Sequence, residues 1–100
     1  MIWSDEDQYY KIIESSGLHF IIFGEVGEQW TDEVLNVFEA AGVKVNLFPW
    51  ASVIELRLQL EIVCYPYIQL WKNGSLRGEL EGYKNEELQH LIVYSSTSNA

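Results

Sequence analysis

Ile62-Val63-Cys64-Tyr65-Pro66-Tyr67-Ile68-Gln69-Leu70-Trp71-Lys72-Asn73-Gly74 is the stretch from which the rest of the chain can be placed. Tyr67 to Trp71 is rich in aromatic and β-branched residues, the composition of a strand. Pro66 stands at its start, where a missing N–H removes no internal ladder bond. Asn73-Gly74 then supplies the two positive-φ positions of a type I′ turn, which makes Ser75 to Glu81 the returning strand of a hairpin.

Upstream, Leu18 to Phe23 is an aromatic and β-branched run of strand length, as expected for a buried strand. Val43 to Phe48 is another strand, stopped by Pro49. Gly24 to Gln29 is a loop, after which Thr31 is placed to cap a helix. Asp32 and Glu33 occupy its first turn, Val34, Leu35, Phe38 and Ala41 its apolar face, and Gly42 its end. Near the start, Ser4 with Asp5, Glu6 and Asp7 opens a helix carrying Tyr9, Ile12 and Ile13, and Gly17 closes it. Met1 to Trp3 can add a short strand. Ser52 and Glu55 have capping-box spacing ahead of Ile54, Leu56, Leu58 and Leu60. Downstream of the hairpin, Asn85 caps a last helix with Leu88, Leu91 and Ile92 facing inward.

The order is therefore helix, strand, helix, strand, helix, strand, strand, helix. Strand–helix–strand segments require parallel pairing through right-handed crossovers, and the Asn-Gly turn requires an antiparallel pair. The class is α/β: a mixed central sheet of parallel strands plus a C-terminal antiparallel hairpin, flanked by helices on both faces. One hundred residues, 48% of them hydrophobic, suffice for one domain with a core. Residues 1–94 are assigned to it, and Ser95 to Ala100, small and polar, to a tail that frays.

With Pro66, the Lys72-Asn73-Gly74 hairpin and Gly82 before the last helix in register, this succession resembles the thioredoxins over almost the whole chain. The resemblance implies a thioredoxin-like fold, a cis peptide bond before Pro66 and an edge beside it that holds extended peptides. It also marks a loss. Placing Phe23 on the family's central strand puts Glu28, Gln29, Trp30 and Thr31, within a residue, where thioredoxins carry Cys-Gly-Pro-Cys. Ile22 then stands where they bury an aspartate. The chain has a single cysteine, Cys64. Dithiol exchange needs an attacking thiolate and a second thiol to release the mixed disulfide. The family's oxidoreductase activity is accordingly not expected, and no cofactor is implied.

In such a fold one rim collects Glu25, Glu28, Trp30, Trp50, Tyr65, Pro66, Tyr67 and Tyr83, with Pro49 beside them. Tryptophan and tyrosine dominate binding hot spots because they bury large areas and keep a polar tip. The alternative is that the rings pack inward, foremost Tyr67 and Trp71, which lie in a strand. Glu25 and Glu28 suit an arginine- or lysine-bearing partner, or are simply solvated loop acids. Cys64, two residues before Pro66, reads first as a buried small hydrophobe and otherwise as a possible reactive thiol. His19 reads as a core or strand-face residue, and His90 falls in the last helical turns, where a cation is favoured. No phosphate loop, Ser-His-Asp set or paired-carboxylate site is present in the pattern.

A formal charge of −9 with six scattered basic residues argues against nucleic acid. No apolar run is long enough to span a membrane, and no secretory signal is recognisable, so a cytoplasmic location is expected. One cysteine and two distant histidines leave neither an internal disulfide nor an expected metal site. The function expected is a redox-inactive interaction or assembly module that binds a protein or extended peptide, a basic one where the acids matter, through the cis-proline edge. The alternatives are a single-cysteine redox protein using Cys64 and a structural homo-oligomeric subunit.

Overall fold

Strand alternation sends the side chains of Leu18–Gly24, strand β1, to two different cores. Phe20 and Ile22 join Leu47, Ile68 and Leu70 from neighbouring strands in one buried cluster. Ile21 and Phe23 join Phe48 and Tyr67 in the other. The computed structural model describes residues 2–3 and 5–97. In chain order it contains α1 (Glu6–Glu14), β1, α2 (Gln29–Ala40), β2 (Val45–Pro49), a short 3₁₀ turn (Trp50–Ser52), α3 (Ile54–Gln59), β3 (Tyr67–Lys72), β4 (Ser75–Glu81) and α4 (Asn85–Thr97).

The strands lie in the order β2-β1-β3-β4. β1 and β2 run parallel, with Phe23 beside Phe48, while β1–β3 and β3–β4 are antiparallel. Val34 and Phe38 of α2 and Leu88 and Ile92 of α4 cover the first face. Tyr9 of α1, with Val53, Leu56 and Ile62 from the α3 region, covers the second. The expected mixed sheet between two helical layers is the one observed. At the hairpin, Asn73 and Gly74 have φ of 50° and 82°, as the type I′ turn requires. The turn is also tied down: Asn73 N–H donates to Gly17 O, and Gly17 N–H donates to Asn73 Oδ1.

Several local expectations are corrected. Ser4 lies outside the described residues, and the observed cap of α1 is Asp5, which accepts from Asp7 N–H. Thr31 is not the cap of α2. The helix starts three residues earlier, with Glu28 at the cap and Gln29 inside it, and Thr31 is fully buried. The capping box at Ser52 and Glu55 is not formed. Val53 holds the cap position of α3 without a side-chain bond, because its side chain belongs to the core. The missing donor partner comes from another helix: Glu6 Oε1 accepts from Leu56 N–H at 3.1 Å. Of the four apolar residues placed on α3, Leu56 is buried but Ile54 and Leu58 are exposed. β2 begins at Val45 rather than Val43, and Pro49 ends it from within. Ile2 forms an isolated parallel bridge to Leu47, so the short N-terminal pairing exists; Met1 lies outside the described residues. α4 continues through Ser95 to Thr97, with Ser95 buried, so three residues assigned to the tail are helical. Ser98 to Ala100 lie outside the described residues. That extension also leaves His90 in the middle of α4 rather than near its end.

One buried polar group sits in the second core. Gln69 Oε1 accepts from Tyr9 Oη and from Trp71 Nε1, both at 2.9 Å. Tyr67 Oη donates to Glu79 Oε2. Burial is the main cause that pushes the Tyr9 and Tyr67 hydroxyls up from 10.0 to about 12. In the unfolded chain tyrosine loses its proton near pH ~10, so in that window the unfolded state binds fewer protons and stability falls as pH rises. The urea midpoint should therefore decline as pH goes from about 10 to about 12, with a contribution on the order of 2 kcal/mol from Tyr9 alone. Tyr9→Phe should flatten this decline; an equally steep loss in Tyr9→Phe and Tyr67→Phe would contradict the assignment.

Candidate functional site

The end of β1 and the start of α2 are drawn together by a residue with no side chain. A Cβ on Gly24 would lie 2.6 Å from Thr31 Oγ1 and 2.8 Å from its Cγ2. Thr31 Oγ1 in turn accepts from Glu25 N–H at 3.3 Å. Gly27 N–H donates to Asp32 Oδ1 at 3.0 Å, and Glu28 Oε2 accepts from Trp30 N–H at 2.6 Å. The connection is therefore pinned at four successive points.

Across the sheet end, the register of Phe23 with Tyr67 brings this connection opposite Pro66. The Tyr65–Pro66 bond is cis. Pro66 is buried, and its carbonyl accepts from Gly82 N–H at 2.7 Å, which holds the Gly82–Tyr83 corner at the same rim. Ile62 and Pro66 are both anchored in the interior, so the three residues between them bow outward. Val63 is 82% exposed and Tyr65 is exposed. Among the described residues, no hydrogen bond engages the main-chain N–H or C=O of Tyr65.

Two aromatic pairs flank Pro66. Trp30, half exposed, stacks on Tyr83 with centroids 5.9 Å apart and planes at 24°. Trp50 meets Tyr65 edge-on at 4.8 Å. Glu25 and Glu28 are half-buried at the α2 side, and Glu25 Oε1 accepts from Ala51 N–H at 2.8 Å. Of the residues expected at the rim, Tyr67 is the one turned away. Its ring packs against Phe23 in the second core, so it supports the rim from below. Trp71 also packs against that core. His19 is a partly covered strand residue, its Nε2 near Ser15 Oγ and Ser16 O.

Cys64 is corrected from buried to exposed, because Ile62 takes the interior position that the local apolar run seemed to offer it. Its Sγ lies 4.0 Å from Glu81 Oε2. The sequence reading missed Arg57. Its guanidinium stands 3.9 Å over the Trp50 ring and its Nε–H donates to Trp50 O at 2.8 Å. The only sequence signal was a single arginine on a helix following a tryptophan, which is too common to be informative. Exposed Val26 was missed for a similar reason. Among the described residues no group of three or more His, Cys, Asp or Glu is arranged to hold a metal ion. No described helix is long and apolar enough to cross a membrane.

No protein-family model matches the chain, and no curated protein matches it in sequence. Solved structures do match. A thioredoxin of Malassezia sympodialis superposes with TM-score 0.80 at 18% identity, covering 96% of this chain and 90% of that one. The oxidised thioredoxin of Plasmodium falciparum gives 0.76 at 20% identity, covering 92% and 93%. Mitochondrial thioredoxin 3 of Saccharomyces cerevisiae gives 0.75 at 16%, covering 93% and 92%. The chain thus has a thioredoxin fold, and with one cysteine it carries no Cys-x-x-Cys pair.

The Gly24–Thr31 contact yields a direct test. Gly24→Ala should destabilise the fold by about 1–3 kcal/mol through overpacking. Thr31→Ala in that background removes the two closest atoms and should recover part of the loss in chemical denaturation. No recovery would mean that the crowding lies elsewhere.

Proposed function

We propose that this chain is a redox-inactive interaction module that grips an extended segment of a partner protein at the Pro66 rim. The observation that carries this is the free main-chain N–H and C=O of Tyr65, set between two aromatic pairs. An outward-bowed segment with unpaired peptide groups offers strand-like hydrogen bonds, and alternate side chains of the added strand can then rest on rings. The aromatic pairs are preorganised. Arg57 holds Trp50 by its face and by its carbonyl, which lowers the ordering cost on binding.

The rim lacks what dithiol exchange needs. Glu28 and Thr31 occupy the neighbourhood of the family's cysteine pair, and Thr31 is buried with its hydroxyl holding the loop. The expected behaviour is capture that is indifferent to reductant. Screening extended decapeptides by tryptophan fluorescence should find binders whose affinity falls by about 1 kcal/mol or more in Trp50→Ala and in Tyr65→Ala. Affinity unchanged in both variants would remove the rim as the binding site. Insulin reduction should be absent.

A second reading is favoured by one observation, the exposure of Cys64. Its thiolate could attack a partner disulfide, forming a mixed disulfide and releasing the partner's other sulfur as a thiolate. Reactive cysteines sit in electropositive surroundings, whereas the polar neighbour of Cys64 is the Glu81 carboxylate. That favours the non-covalent reading. Native Cys64 should alkylate readily, as an exposed thiol does, but Cys64→Ser should leave peptide capture intact. Loss of capture in Cys64→Ser, with capture reversed by reductant, would instead support the thiol reading.

A further inference from the structure

We infer that the segment held at this rim carries arginine, or less favourably lysine, on both sides of an apolar anchor; this rests on the rim being the docking site. The apolar part of the surface is Val26 and Trp30 on one bank of Pro66 and Val63 and Tyr65 on the other, all exposed. Carboxylates stand on both sides of it. Glu25 and Glu28 lie on the α2 side, and Glu81 lies on the β4 side, opposite Tyr67 in the sheet register.

All three carboxylates are met only by neutral donors. Glu25 accepts from Ala51 N–H, Glu28 from Trp30 N–H, and Glu81 faces the Cys64 thiol. Among the described residues none of the three is paired with a cation. Glu28 Oε1 has no hydrogen-bond partner but is covered from solvent, so Glu28 contributes charge at the rim rather than a direct contact. Arg57, the cation adjoining the rim, is committed to the face and carbonyl of Trp50. The start of α2 offsets part of the Glu28 charge, but the chain supplies no cation to any of the three, within a molecule of formal charge −9. An acidic segment would meet like charge on both banks. A guanidinium offers a planar fork of donors to a carboxylate and stacks on an indole face, which ranks arginine above lysine beside Trp30.

The test uses three soluble probe peptides of one length in which valine alternates with arginine, glutamine or glutamate. Binding is read by backbone amide shifts of the full chain and by tryptophan fluorescence. The arginine peptide should shift Glu25, Trp30 and Tyr65 and bind at least about fivefold more tightly than the glutamine peptide at about 50 mM salt, with most of the advantage gone at about 500 mM. The combined Glu25→Gln, Glu28→Gln and Glu81→Gln variant should erase that advantage while still binding the glutamine peptide. Glutamine retains the amide-oxygen acceptor that caps α2 and meets Ala51, so this variant is expected to fold. A charge-matched control, Glu14→Gln with Glu33→Gln and Glu39→Gln on α1 and α2, should keep the advantage. Equal binding of the arginine and glutamine peptides at the rim, or equal loss in the control, would overturn the charge inference and leave the docking site standing. Shifts confined to another face would overturn both.

Discussion

Everything at the rim depends on a sheet whose middle is buried on both faces. β1 is its central parallel strand, and its side chains feed two cores in alternation, Phe20 and Ile22 to one and Ile21 and Phe23 to the other. From Phe20 to Phe23 such a strand has no solvent face, and these four residues are all apolar. The consequence is that polar chemistry is expelled to the strand ends. There β1 stops at Gly24, β3 starts after Pro66, and β4 runs out at Glu81, all at the same end of the sheet. The parallel pairing of β1 with β2 and the antiparallel pairing of β1 with β3 and of β3 with β4 gather these connections at that end.

The parts of the fold legible from sequence were those fixed by local chemistry. The hairpin was legible because Asn73 and Gly74 supply two positive-φ residues between two strand-like runs, and β4 was bounded correctly at Ser75 and Glu81. β1 was legible because few structures besides a doubly covered strand tolerate Leu18 to Phe23. The errors have a common origin in long-range satisfaction. Ser52 and Glu55 have the spacing of a reciprocal cap, yet α3 is capped at Leu56 by Glu6, 50 residues upstream. Thr31 has the chemistry of a cap, yet the close approach of Gly24 draws it into the interior and Glu28 takes the cap.

The site was legible as a neighbourhood but not as a geometry. Topology alone gathers Trp30, Tyr83, Trp50 and Tyr65 at one rim. It does not say that they pair as stacked and edge-on couples, nor that Tyr67 turns inward to meet Phe23 and Glu79. Cys64 shows the limit clearly. Flanked by Ile62, Val63 and Tyr65, it has the local composition of a core position. Its exposure follows from two anchors, Ile62 and Pro66, that are too close in sequence for the residues between them to be buried as well. No window of hydrophobicity contains that constraint.

The same geometry shows how the loop is held without a dithiol. A helix N-terminus presents unpaired N–H groups and a partial positive charge, and a thiolate there is stabilised by both. In this chain Glu28 occupies that electrostatic slot. Its carboxylate accepts the Trp30 N–H at 2.6 Å, supplying the negative charge and the acceptor together. Thr31, one turn on, accepts from Glu25 N–H through its hydroxyl oxygen and fills the space that Gly24 leaves. Each of these residues satisfies a demand of the backbone, and neither carries a thiol. The loop is thus held in shape by contacts among its own residues.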